Sequence, residues 1–265
     1  MKRKSGSIRT KLLPLGAFCV IILIWWGLSA AGIIPGFMLP SPAEVVRAFI
    51  RDFSNLMPHA LVSVREAIYG LLIGTALAFG LACLMDRFFT LEQAVMPLLV
   101  VTQTIPTIAI APLLVLWMGF GMEPKITLVV ITTFFPIAVG LLDGFKSADP
   151  DAIALLRSMN ASRAQIFRHV KMPAALPYFF SGLRISASYA VVGAVISEWL
   201  GGFEGLGVYM TRVRKAYAFD KMFAVILLIV LISLLLMKAV NGIRALSMPW
   251  LRFRPETAGR DAPER

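Results

Sequence analysis

Charge is what this sequence has least of. Only 15% of its 265 residues are Asp, Glu, Lys or Arg, while 58% are hydrophobic. Soluble globular domains carry about 25% charged and roughly 45–50% apolar residues. A mean hydropathy of +0.79 excludes a water-soluble domain of this size. It also excludes a disordered chain, which needs high charge and few apolar residues. Cysteine is almost missing. Cys19 and Cys83 are the only two, both inside apolar runs, so a disulfide scaffold is excluded and two small apolar fillers are expected. The two histidines, His59 and His169, lie far apart with no Cys or second His beside them, which argues against a metal site and against a Ser/His/Asp grouping. There is no G-x-x-x-x-G-K-[ST] phosphate loop, so the chain cannot hydrolyse ATP by that route. No catalytic residue, metal or cofactor is expected in this chain.

What the sequence has in quantity is uncharged apolar stretches. A helix crossing the roughly 30 Å hydrocarbon core needs about 20 residues. The charge gaps predict six such helices near 12–34, 60–85, 94–118, 125–142, 174–198 and 222–240. The expected fold class is therefore all-α, a polytopic membrane protein. Residues 1–11 form a basic N-terminal segment, 12–247 the transmembrane domain, and 248–265 a tail without regular structure. The fifth span takes in Pro177 and Arg184 at its entry, where an arginine can snorkel to the headgroups. Lys2, Arg3 and Lys4 before an apolar run superficially match a secretory signal. That run is longer than a signal core and contains Trp25-Trp26, and removing it would leave the termini on opposite sides. An uncleaved first helix is the better reading.

Lys and Arg bookkeeping sets the orientation. With the N-terminus in the cytoplasm, segments 1–11, 86–92, 143–184 and 238–265 carry 18 of the 26 basic residues. Acidic residues divide almost evenly, so the net charge of +11 reads as a topology signal, with attraction to anionic membrane lipid second. Both termini are expected in the cytoplasm of a cell whose inner membrane holds the protein.

The long cytoplasmic loop, 143–173, has its own punctuation. Asp149 can cap a helix, Pro150 suits its first turn, and Asp151 complements its dipole. That helix, Ala152–Met159, is expected to end at Asn160, which tolerates a left-handed conformation. Ser162-Arg163-Ala164-Gln165 then reads as a capping box opening a second helix, Ile166–Lys171, which stops before Pro173. A DNA-binding helix-turn-helix looks locally similar. Between two spans, a contact with a cytoplasmic protein is the better explanation, and no nucleic acid is expected.

Two small-residue stripes, Gly70-Gly74-Ala78-Ala82 and Gly182-Ser186-Ala190-Ala194, let helices approach closely, within one subunit in preference to a dimer seam. Pro97, Pro106 and Pro112 interrupt the third run, and Pro136 sits in the fourth. Such prolines free backbone groups that protein or a water-lined cavity must satisfy. Gln103, Thr104 and Thr107 lie beside Pro106, making that break a candidate lining of a translocation path, with hydrogen bonding inside the bundle as the equal alternative. Trp117, Tyr189 and Glu198 are further path candidates, and aromatics at span ends also serve as interface anchors.

Several of these segments resemble a known family. Asp149–Pro177, with Arg157-Ser158-Met159-Asn160-Ala161-Ser162-Arg163, Phe167 and Met172-Pro173, resembles the EAA loop of binding-protein-dependent ABC importer permeases. The resemblance extends to Gln103–Pro106, Ala111-Pro112-Leu113, Trp117–Gly121, Gly182-Leu183-Arg184, Glu198 and Gly205-Leu206-Gly207. It covers most of 60–245 and points to the branch importing nitrate, sulfonates, taurine or thiamine-precursor pyrimidines. It implies a type I importer permease fold and half a translocation path working by alternating access. The implied partners are a second copy of the chain, two ATPase subunits holding ATP and Mg, and an external substrate-binding protein. The ATPase contact falls on Asp151, Ala154, Arg157, Asn160, Ala161, Ser162, Arg163, Phe167 and Pro173. Two departures stand out. The family's Glu-Ala-Ala triplet is Ala154-Leu155-Leu156 here, and its loop glycine is Asn160. The wording of the third and fifth helices is closest to the thiamine-precursor pyrimidine importers, with sulfonate, taurine and nitrate as alternatives. A passive channel or scaffold without an ATPase is the reading from another class.

Overall fold

The computed structural model describes residues 5–250; Met1–Lys4 and Leu251–Arg265, which include part of the expected basic segment and nearly all of the expected tail, lie outside the described residues. The chain begins with helix α1 (Ser5–Ala30), a short amphipathic α2 (Pro42–Arg51) and the long α3 (Phe53–Arg87). Next come α4 (Phe89–Thr104), α5 (Thr107–Met118) and α6 (Glu123–Lys146). Two short loop helices follow, α7 (Pro150–Ser158) and α8 (Arg163–Ile166), and then α9 (Met172–Gly201), α10 (Leu206–Lys215) and α11 (Phe219–Ser247). No strand occurs among the described residues.

Helix α6 is the centre of the bundle, between α3 and α9. The small-residue stripes are what bring the three together. Gly70, Gly74, Ala78 and Ala82 are buried on α3, and a Cβ added at Gly70 would strike the side chain of Val129 on α6. On α9, a Cβ at Gly182 would strike the carbonyl of Pro136, and one turn on Ser186 Oγ donates to the Thr133 carbonyl at 2.7 Å. Both stripes therefore serve packing within one subunit, where backbone contact and an interhelical hydrogen bond replace the hydrophobic drive that lipid cannot supply.

Two expectations need correction. The third expected span, 94–118, is not one helix: α4 and α5 diverge by 98°. Pro106 has no N–H to continue the helix and forces the residue before it out of the helical region. Ile105 and Pro106 are accordingly extended, at φ −82°, ψ 121° and φ −60°, ψ 121°. Pro97 and Pro112, by contrast, ride inside α4 and α5.

The second loop helix does not stop before Pro173. Helical structure runs unbroken for 39 residues from Arg163 to Gly201, so the fifth span is continuous with the loop. Proline at 173 withholds its own N–H and crowds the carbonyl four residues back. A wide π-turn over Phe167–Lys171 absorbs the mismatch, with the Met172 N–H bonded to the Phe167 carbonyl.

Helix α2 carries no hydropathy signal, but its local chemistry is complete. Ser41 and Glu44 form a reciprocal capping box with Pro42 in the first turn. Trp25 of α1 donates to the Pro40 carbonyl at 3.0 Å and stacks on Phe223 of α11, which fastens α1 to the rest of the bundle.

Candidate functional site

The break at Pro106 opens a hollow of about 260 Å³ between α4–α5, α6 and α9. Gln103, Thr107 and Tyr189, three of the expected path residues, line it together with Thr102, Thr132 and Gly193. Thr102 and Thr132 spend their hydroxyl protons on carbonyls of their own helices, Leu99 and Val129, and so present lone pairs. The side chains of Gln103, Thr107 and Tyr189 have no hydrogen-bond partner among the described residues. The hollow therefore offers amide and hydroxyl groups and one aromatic ring, and no charged side chain lines it. Thr104 and Trp117 are exposed outside it; Thr104 Oγ1 bonds to the Val101 carbonyl at 2.8 Å, and Trp117 is 71% exposed.

Glu198 stands apart from this hollow. Its side chain is buried beneath the first turn of α10, where one carboxylate oxygen accepts from Ser63 Oγ at 2.5 Å and the other from the Gly207 N–H at 2.6 Å. Ser63 Oγ also accepts from the Leu206 N–H at 2.8 Å, and His59 Nδ1 accepts from the Gly205 N–H at 3.0 Å. Three consecutive orphan donors of a helix start are thus satisfied by α3 and α9, with a carboxylate where the helix dipole favours one. Gly205 is required there. It has φ +114°, and a Cβ would enter the Glu198 carboxylate. Beside this clamp Lys125 of α6 pairs with Glu66 of α3 at 3.0 Å, both buried, and Glu66 and Glu198 are electrostatic neighbours. Sequence reasoning missed this cluster. It assembles from four helices, and only the unpaired Glu66 inside an apolar run hinted at it.

The loop at the opposite end of the bundle is built as its punctuation indicates. Asp149 caps α7 through the Asp151 N–H at 2.9 Å. Asn160 adopts φ +58°, the Asn160 N–H reaches the Arg157 carbonyl, and the Ala161 N–H reaches Leu156 at 2.9 Å. That pair of bonds is a Schellman closure, and it explains why asparagine serves where the family has glycine. Ser162 and Gln165 cap each other reciprocally. Helix α7 buries no residue. Residues two apart on a helix point about 200° apart, so its faces differ. Asp151, Ala154, Leu155 and Met159 point outward, with Leu155 62% and Met159 69% exposed. Ile153 and Arg157 turn inward to a groove also lined by Ala161, Arg163 and Phe167. Phe167 packs on Phe145 of α6, with ring centroids 5.2 Å apart. Pro173 is half-buried at the start of α9. Leu155 and Met159 form an exposed apolar i, i+4 pair on a loop helix without a core, which the reading of the sequence did not single out.

The comparisons with known proteins agree. The family described as binding-protein-dependent transport system inner membrane component matches residues 70–253. An ABC transporter permease protein of Haemophilus influenzae is 37% identical over 87% of this chain and 94% of its own. The formylaminopyrimidine transport permease of Halalkalibacterium halodurans is 36% identical over 94% of this chain and 98% of its own. The taurine transport permease of Escherichia coli is 27% identical over 91% and 90%. Among solved structures, the inward-facing MetNI methionine ABC transporter shares the fold, with a TM-score of 0.63 at 20% identity, over 72% of this chain and 95% of that one. These relatives are membrane permease subunits and not enzymes; ATP hydrolysis belongs to a separate chain. With the family's segment matched over residues 70–253, the chain belongs to the binding-protein-dependent inner-membrane permeases of ABC importers.

Proposed function

We propose that two copies of this chain form the translocation path of an importer for a neutral nitrogen heterocycle, with a thiamine-precursor pyrimidine as the substrate. The observation that carries this is the uncharged hollow at Pro106, whose amide, hydroxyl and tyrosine groups match a flat, hydrogen-bonding ring. A sulfonate, taurine or nitrate calls for a cation, and no Lys or Arg lines the hollow. The 36% identity to a formylaminopyrimidine permease points the same way, as does the 31% identity to the riboflavin permease of Chloroflexus aurantiacus. In this reading the α7–α8 end is cytoplasmic, as are both termini. The outward face of α7 seats in each ATPase subunit, which holds ATP and Mg, and an external binding protein delivers substrate to the α2–α10 end. Closure of the ATPase pair rocks the two bundles.

The test is uptake into proteoliposomes holding the complete importer, with labelled formylaminopyrimidine, taurine and an alkanesulfonate as alternative solutes. Pyrimidine uptake that depends on ATP and rises in KM about two- to tenfold in Gln103→Ala or Thr107→Val supports the reading, since each lost hydrogen bond is worth about 0.5–1.5 kcal/mol. Uptake of taurine or sulfonate alone, or variants with unchanged KM and rate, sinks it. Flux without nucleotide would favour a passive channel.

A further inference from the structure

A second hollow shares several lining residues with the loop proposed to contact the ATPase, but lies on the other side of α7 from Leu155 and Met159. It is a groove of about 1010 Å³ between the last turns of α3 and the α7–α8 turn. Its charge is one-sided. Arg87, Arg157, Arg163 and Lys171 line it against a single carboxylate, Asp86. That carboxylate is already taken by Lys171 at 2.6 Å. None of the three arginines has a carboxylate within 4.0 Å among the described residues. Cys83, Ile153, Ile166 and Phe167 make the rest of the wall apolar. At the α3 end, Arg87 lies over the ring of Phe88 at 5.9 Å, and Phe88 and Phe89 are exposed, as aromatics are at the level of lipid headgroups.

Three unpaired guanidinium groups around an apolar wall at a membrane interface form a receptor for a phosphate ester. Guanidinium donors fit phosphate oxygens in pairs, and the apolar side accepts the glycerol and first methylenes of a lipid. We propose that this groove binds a phosphate-bearing anion, either the headgroup of an anionic lipid or a free phosphate compound, and so ties the end of α3 to the loop that contacts the ATPase. The groove lies behind the outward face of α7, because Arg157 and Ile153 point away from Leu155 and Met159, so anion and ATPase can bind together. The placement at the cytoplasmic leaflet rests on the proposed orientation; the binding itself does not.

The test is made on the purified full-length permease in its complex, stripped of lipid in detergent and then offered phosphatidylglycerol and phosphatidylcholine in equal amounts. Native mass spectrometry counts retained phosphatidylglycerol against phosphatidylcholine, and thermal unfolding is followed separately with inorganic pyrophosphate. Binding should weaken about fivefold for each of Arg87→Gln and Arg163→Gln. It should persist in Arg87→Lys and in Arg47→Gln, a change at the far end of the bundle. Selective retention of phosphatidylglycerol, without a response to pyrophosphate, assigns the lipid. A pyrophosphate response without lipid selectivity assigns a soluble anion. Equal retention of both lipids with no pyrophosphate response overturns the proposal, as does binding that the groove arginines do not affect. Should a variant fail to fold, the wild-type preferences decide alone. The lipid count is read on the permease whether or not an ATPase co-purifies, so the importer reading can fail independently.

Discussion

Lys125→Met isolates the consequence of burying charge inside this bundle. The Glu66 side chain is 0% exposed and Lys125 6%, with the ammonium 3.0 Å from the carboxylate. Glu198 adds a second carboxylate beside them. Removing the lysine leaves two acids with no counter-charge, in a place water does not reach. Losing one partner of a buried pair costs about 3–5 kcal/mol, a large part of the roughly 5–15 kcal/mol that holds a domain folded. Replacing both partners by apolar residues of similar size is often neutral or stabilising, so adding Glu66→Leu should return most of the loss. The assay is equilibrium unfolding of the purified protein in mixed detergent, with wild type, both single variants and the double variant forming one thermodynamic cycle. A coupling of about 3 kcal/mol or more is expected, with little dependence on salt because the pair is buried. A Lys125→Met protein within about 1 kcal/mol of wild type would refute the reasoning, since Glu66 would then have to be hydrated or neutralised by a proton. So would a double variant no better than Lys125→Met.

Three further outcomes follow from the geometry. Gly205→Ala forces a Cβ into the Glu198 carboxylate at a left-handed φ, and should lower stability by about 1–3 kcal/mol, read as a fall in Tm; an unchanged Tm would mean the clamp is loose. Leu155→Asp and Met159→Asp put charge on the outward face of α7 and should weaken ATPase co-purification at least about tenfold, while leaving the permease fold, followed by circular dichroism, intact. Arg163→Glu and Ala161→Glu should uncouple ATP hydrolysis from uptake, and normal stimulation by loaded binding protein in these variants would contradict the coupling role of the loop.

Much of this protein is local and was legible along the chain. Long uncharged runs favour membrane helices, because backbone polar groups in lipid must be satisfied within the segment. Caps and turns depend on neighbours a few residues apart. Asp149, Asn160 and Ser162 therefore announced the helix–turn–helix of the 143–173 loop, and the four-residue stripes announced which faces of α3 and α9 pack. Proline was the partial case. Its chemistry marked both Pro106 and Pro173 as breaks, but whether the chain bends by 98° or widens into a π-turn depends on what surrounds the freed carbonyls. What the tertiary structure alone decided is where side chains distant in sequence meet. Glu66, Lys125 and Glu198 read as isolated charges until three helices bring them together, and Glu198 stands at the start of α10, apart from the hollow at Pro106. The two faces of α7 likewise became distinct only once α3 stood beside one of them. A periodicity states which residues share a face; what that face meets is set by packing, where close contact and the cost of unpaired charge choose among arrangements that local sequence leaves equal.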